Sequence, residues 1–282
     1  MILACTDGST FAPSLYQHAA WAALRLGTGV EVLHVLEPHR DRASDIDLSS
    51  SLGPQASAQL TEELTRLEEA QERVQQLKGK AILEDASHHL RRAGITNVVT
   101  TQRPGTLVET LEELDPPCDL VAIGKRGAQA NFAKEHLGAN LERVVRTSVR
   151  PVLVTPQQFQ PIDRFLIAFD GGPSVTKALE FALNNPLLKG LGCHLLRAGH
   201  VDDKAKWYLG EAASKLWSAG YGVTTHAIEG APEKIISEVI QRERIQLLVI
   251  GAYGHSPIRN LILGSTTTNM VRTSPVPVLM FR

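Results

Sequence analysis

The sequence predicts an α/β fold of two tandem doubly wound five-stranded parallel sheets. Each is expected to take strand order 3-2-1-4-5 with helices on both faces. Three observations carry this expectation. Short apolar runs alternate with segments of helical spacing along the whole chain. Those runs are near-continuous in apolar residues, as in strands covered on both faces. The chain also repeats itself. A glycine-rich stretch from Gly251 to Ser265 follows the run 247–250, and a cruder copy starting at Gly124 follows 120–123. Both copies close on Pro-Val-Leu, at 151–153 and 277–279. The repeat divides the 282 residues into domains 1–155 and 156–282, with Pro156 and Pro161 marking the linker over 155–163.

In the first half, 1–5 reads as a strand. Residues 12–26 read as a helix, with Leu15, Ala19, Ala22, Ala23 and Leu26 on one side and Gly27 as its stop. A strand at 30–36 precedes a polar loop over 37–56. Residues 57–92 read as mostly helical, with a break at Gly79. Then come a strand at 96–101, a short helix at 107–114 ended by Pro116-Pro117, a strand at 120–123, a helix at 140–146 and a strand at 152–154. The second half repeats the order. Its strands fall at 165–169, 193–196, 223–228, 247–250 and 276–280, and its helices at 174–183, 204–218, 233–242 and 265–273. Asp7 to Gly124 spans 117 positions, whereas Asp170 to Gly251 spans 81. The difference of 36 falls mainly between the second and third strands of the first half, over 37–80. A long inserted segment suits a functional lid or a disordered loop.

Composition narrows the function. The formal net charge of −1 lacks the basic footprint of a nucleic-acid binder. Residues 1–155 carry 16 Lys+Arg against 20 Asp+Glu, and 156–282 carry 13 against 10, so the second half is the positive one. No apolar run of about 18 residues suggests a membrane span, and the first residues lack a signal-peptide shape. Cys5, Cys118 and Cys193 are scattered in or beside apolar segments and read as buried hydrophobes in a reducing cytoplasm. Trp207 and Trp217 read as core covering the sheet, and the glutamate-rich stretch 62–72 as a solvated helix face. His88 and His89 are adjacent on a helix and diverge, which argues against a metal site.

The chemistry concentrates at Gly251, Gly254, Gly264, Ser265 and Thr266. Glycines let backbone N–H groups approach an anion, a helix start adds unpaired donors, and the hydroxyls donate as well. His255 lies in the same loop, where it can touch a phosphate or stand in solvent. In an open α/β sheet, ligands bind beyond the strand carboxyl ends where the strand order reverses. That point lies between the first and fourth strands, which brings Asp170 and the glycines to one crevice. The first half departs from this pattern. Ten residues separate Gly127 from Gly138 where nine separate Gly254 from Gly264, and Ala139 replaces the serine. Lys125 and Arg126 are cations that could compensate there. No Gly-x4-Gly-Lys-Ser/Thr loop and no paired-carboxylate or Ser-His-Asp constellation accompanies the glycines, so an enzyme is not expected and hydrolysis should be slow at most.

The chain resembles the universal stress protein family in its tandem two-domain form. The resemblance rests on Thr6-Asp7-Gly8-Ser9 and Phe169-Asp170-Gly171 after the first strands, on Leu33-His34-Val35, on the spacing from Gly251 to Ser265, and on the closing Pro-Val-Leu runs. It implies an ATP-binding regulatory protein, with or without Mg. Asp170, with Ala168 and Phe169 before it, would meet the nucleoside. Ala198, matching Val35, would lie beside the adenine, and Gly251, Gly254, Gly264, Ser265 and Thr266 would hold the phosphates. It also implies antiparallel pairing of the two last strands, so that the halves pack as a pseudo-dimer. A protein partner and a further homodimer stay open. The alternative is an adenine-nucleotide-dependent hydrolase or adenylyl-transferring enzyme, since Asp170-Gly-Gly-Pro-Ser174 has the look of a pyrophosphate-binding turn. Those enzymes, however, carry their phosphate loop after strand one.

Overall fold

A computed structural model describes residues 1–36, 54–114, 118–127, 139–252 and 265–282. The first half contains β1 (Ile2–Cys5), α1 (Ala12–Leu26), β2 (Val30–Leu36), α2 (Pro54–Arg92), β3 (Val98–Pro104), α3 (Leu107–Leu114), β4 (Leu120–Gly124), α4 (Ala139–Thr147) and β5 (Val152–Thr155). The second contains β6 (Arg164–Ala168), α5 (Pro173–Asn184), β7 (Gly192–Ala198), α6 (Asp203–Ser218), β8 (Val223–Ile228), α7 (Pro232–Arg242), β9 (Leu247–Gly251), α8 (Ser265–Thr273) and β10 (Val278–Phe281).

Within each half the strands are parallel in the expected order, and the two sheets join into one. The sequence of neighbours is β3-β2-β1-β4-β5-β10-β9-β6-β7-β8. The join is antiparallel, with Val278 opposite Val154, Leu279 opposite Leu153 and Met280 opposite Val152. An apolar fifth strand left as an edge would offer unpaired N–H and C=O groups to any other chain; pairing the two edges removes that hazard. All six of these side chains are at most 2 % exposed.

One apolar layer lies under α1, α2, α5 and α6, and includes Tyr16, Leu90, Phe165, Val175 and Leu216. The other lies under α3, α4, α7 and α8, and includes Val144, Ile236, Val239 and Met270. Burial on both faces explains why the strands read as unbroken apolar runs. Cys5, Cys118 and Cys193 are buried, and burial raises the thiols of Cys5 and Cys193 to about 12.

Several boundaries differ from expectation for local reasons. The helix over 57–92 does not break at Gly79: α2 runs unbroken through it. The glycine is a contact point, since a Cβ there would come within 2.9 Å of His34 and Gln102 on β2 and β3. β3 starts two residues late because Val98 is level with Val30, while the Asn97 carbonyl accepts from the Val30 N–H. β10 also starts late, because the Ser274 hydroxyl takes the Val276 N–H in a turn. Trp207 and Trp217 do not cover the sheet; they are 61 % and 65 % exposed. The buried stripe of α6 is Leu209, Ala212 and Leu216, which occupies the i, i+3, i+7 face and leaves both tryptophans outside it. The expected loop over 37–56 falls largely outside the described residues.

Candidate functional site

The crevice of the second half forms where β6 and β9 lie side by side while their neighbours β7 and β10 run outward in opposite directions. The register pairs Ile167 with Val249, so Phe169 is level with Gly251. Asp170 and Gly251 thus reach the same rim. The Asp170 carboxylate Oδ1 accepts the Gly172 N–H at 2.8 Å, a turn that fixes the aspartate just ahead of α5. Gly171 has a φ of 79°, in the left-handed region a side chain resists. Gly251 is held by packing. A Cβ on it would lie 2.8 Å from the Ser174 Cβ and 3.1 Å from the Val175 nitrogen, so only glycine lets β9 pass under the first turn of α5.

Ala168 and Ala198 are half-buried small residues on the same side of neighbouring strands, resting with Ile228 on the apolar layer beneath α7 and α8. They form the apolar floor that a flat base would need. Phe169 behaves differently: its side chain is buried in the opposite layer, so only its backbone faces the rim. Its N–H donates to the Leu196 carbonyl at 2.7 Å.

Ser265 and Thr266 open α8 beside the crevice. The Thr266 hydroxyl donates to Glu233 Oε1 at 2.7 Å, and that bond holds the Glu233 carboxyl below its ordinary range. The Thr267 hydroxyl donates to the Gly251 carbonyl at 3.0 Å, tying α8 to the end of β9. Gly254, His255 and Gly264 lie outside the described residues.

Two participants escaped sequence reasoning. Arg197 reaches across from β7 and donates from Nη1 to the Asp170 carbonyl at 2.7 Å. The matching residue in the first half is His34, whose Nδ1 lies 2.8 Å from the Thr6 carbonyl. Strand register relates the two, since Leu33 is level with Cys5 and Leu196 with Ala168. Glu233 was hidden because the acid comes from α7, far from the glycines in sequence. Counting from the positive-φ glycines Gly105 and Gly230, its counterpart in the first half is the apolar Val108.

In the first half the chain packs closely on the aspartate's turn. Asp7 makes the same turn, accepting the Ser9 N–H at 2.9 Å. Its Oδ2 lies only 2.7 Å from where a Cβ on Gly127 would be, so Gly127 lies against it. Ile82 of α2 covers Gly8, its Cδ1 2.6 Å from a Cβ placed there. Lys125 does not serve as a compensating cation in that crevice. It crosses to the second half and donates from Nζ to the Ser274 carbonyl at 2.9 Å, just past the end of α8. Burial, with help from Arg126, lowers its ammonium to about 8.

The model of the universal stress protein family matches the chain twice, at residues 1–156 and 161–282. A universal stress protein of Synechocystis is 40 % identical over 284 residues, covering 100 % of this chain and 99 % of that relative. Among solved structures, a universal stress protein from Archaeoglobus fulgidus superposes with a TM-score of 0.69 at 24 % identity, covering 100 % of this chain and 97 % of that one. A universal stress protein solved in complex with cAMP covers 44 % of this chain and 98 % of its own, with a TM-score of 0.37 at 24 % identity.

Proposed function

The chain belongs to the universal stress protein family in its tandem two-domain form, and we propose that it is a regulatory protein that binds ATP in the crevice of its second half. The observation that carries this reading is the convergence of Asp170, Gly251 and the start of α8 at the β6–β9 switch point. There, no described residue lies within 4 Å of a Cβ on Gly171. Asp170 would accept from ribose hydroxyls, and Ala168 and Ala198 would floor the adenine. The N–H groups at Gly251, Gly254, Gly264, Ser265 and Thr266 would take the phosphate oxygens, with His255 in the same loop. Glu233, held ionised by Thr266, would face a Mg accompanying the phosphates. Bound ATP would supply negative charge at the head of α8 and join β9 to α8. Occupancy would thereby shift conformation or the choice of a protein partner.

Isothermal titration with ATP, ADP and AMP tests this. Binding in the millimolar to micromolar range is expected, about −4 to −8 kcal/mol. Gly254→Val should abolish it, because a branched side chain there would block the close approach of an anion to the backbone. Unchanged binding in that variant would place the pocket elsewhere. Turnover on the order of 10 per second would replace the regulatory reading with a hydrolase or adenylyl-transferring enzyme.

A further inference from the structure

α2 has 39 residues, whereas its counterpart α6 has 16. Only its last part packs on the sheet, where Gly79, Leu83, Ala86 and Leu90 are buried. Gly79 touches His34 and Gln102 near the carboxyl ends of β2 and β3. Residues 54–78 therefore extend past that end of the sheet, by about 37 Å at 1.5 Å per residue. From 59 to 78 every described side chain is exposed except Leu64, which is half-buried. Large apolar groups stand open along this arm: Leu67, Val74 and Leu77 are 55 %, 63 % and 65 % exposed. A solvated polar helix has no need of them.

Their spacing is informative. Leu60, Leu64, Leu67, Val74, Leu77 and Ala81 are separated by 4, 3, 7, 3 and 4 positions. They fall within an arc of about 140° on one side of the helix. The same arc also holds Glu63, Ala70, Gln71 and Lys78, so the stripe is a broken heptad seam, and it reads the same in both directions about the midpoint between Ala70 and Gln71. Turning a second copy end for end places Leu60 against Ala81, Leu64 against Leu77 and Leu67 against Val74. The charges on the stripe's side obey the same inversion, while the Glu69–Glu72 pair that it also creates lies on the opposite side of the helix. Residues 59–72 hold five glutamates against one arginine, and 73–80 hold three cations and no acid. Inversion sets Glu63 beside Lys78 and Glu68 beside Arg73, whereas a parallel pair would set each glutamate beside its own copy. We propose that the α2 arm is a self-association site, on which two copies of this chain pair as an antiparallel two-stranded coiled coil.

Sedimentation of the full chain across micromolar concentrations should show a dimer; a monomer up to about 100 μM would overturn the proposal and point to another protein as the occupant. Leu67→Glu with Val74→Glu should give a monomer with an unchanged far-ultraviolet spectrum, and a dimer that persists in that variant would also overturn it. Glu63→Lys with Glu68→Lys should weaken the dimer about tenfold, and adding Arg73→Glu with Lys78→Glu should restore it. Failure to restore would contradict the inverted register. A disulfide should form between a Leu67→Cys chain and a Val74→Cys chain, but not between two Leu67→Cys chains; the reverse would show a parallel pair. The native thiols are buried and do not compete.

Discussion

Gly8 and Gly171 hold the same place in the two halves, one residue past the aspartate, with φ of 70° and 79°. Over Gly8 lies Ile82, supplied by a helix more than twice as long as its counterpart, while the turn at Gly171 is open among the described residues. The cation that follows Gly124 leaves its crevice to clamp the other half, and the first-half counterpart of Glu233 is Val108. Duplication thus kept one scaffold and let its two crevices separate. In the first, Ile82 and Gly127 press on the aspartate's turn; in the second, no described residue comes within 4 Å of a Cβ on Gly171. The halves share their fifth-strand seam equally, so disrupting it should have the largest effect. Val152→Asp with Val278→Asp places a charge on each side of that seam. Each buried, unpartnered carboxylate costs several kcal/mol, so the variant should lose its single cooperative unfolding transition and be cut by protease between the halves. A single transition at the original temperature would mean that the seam does not hold them.

A second difference sits beside the same seam. His18 of α1 is buried against Phe159 of the linker, and its counterpart in α5 is Phe181, packed on Phe281. Burial lowers the His18 imidazole from 6.5 to about 4, and its Nε2 has no hydrogen-bond partner among the described residues. Unfolded, the ring takes up its proton near 6.5; folded, it does so only near 4. The stability that follows from this difference is fully present above pH 6.5 and is lost as pH falls through 4, by about 3 kcal/mol. His18→Phe should make the first half resemble the second and flatten the stability curve between pH 6.5 and 4. Urea unfolding at several pH values measures it, and an equally steep acid loss in the variant would assign the sensitivity elsewhere. Lys125→Met should cost least, about 1 kcal/mol, for the bond to the Ser274 carbonyl. Differential scanning calorimetry would read it as a small drop in Tm, and no drop would mean that the crossing lysine contributes nothing to docking.

Much of this architecture was legible in the sequence, because parallel strands covered on both faces leave an unmistakable apolar signature, and the repeat fixed their order twice over. What escaped was set by tertiary contact. Gly79 read as a helix breaker because helix propensity is local, yet its role is to let α2 approach His34 and Gln102. Trp207 and Trp217 read as core because tryptophan usually is, but the smaller Leu209, Ala212 and Leu216 occupy the face toward the sheet. The meeting of Asp170 and Gly251 at one rim was legible because strand topology alone brings them together. Arg197 and Glu233 were not, since each reaches the rim through a side chain whose direction no periodicity records. The close contacts of Gly127 with Asp7 and of Ile82 with Gly8 left no signal in the sequence beyond the altered spacing after Gly127.

The proposal that ATP binds in the second half alone is tested most directly by the stoichiometry of ATP binding to the full chain. Isothermal titration should give one ATP per chain. Asp170→Ala should weaken it about tenfold or more through loss of the ribose contacts, while Asp7→Ala should leave both affinity and stoichiometry unchanged. Two sites per chain, or binding lost with Asp7→Ala and retained with Asp170→Ala, would contradict the account.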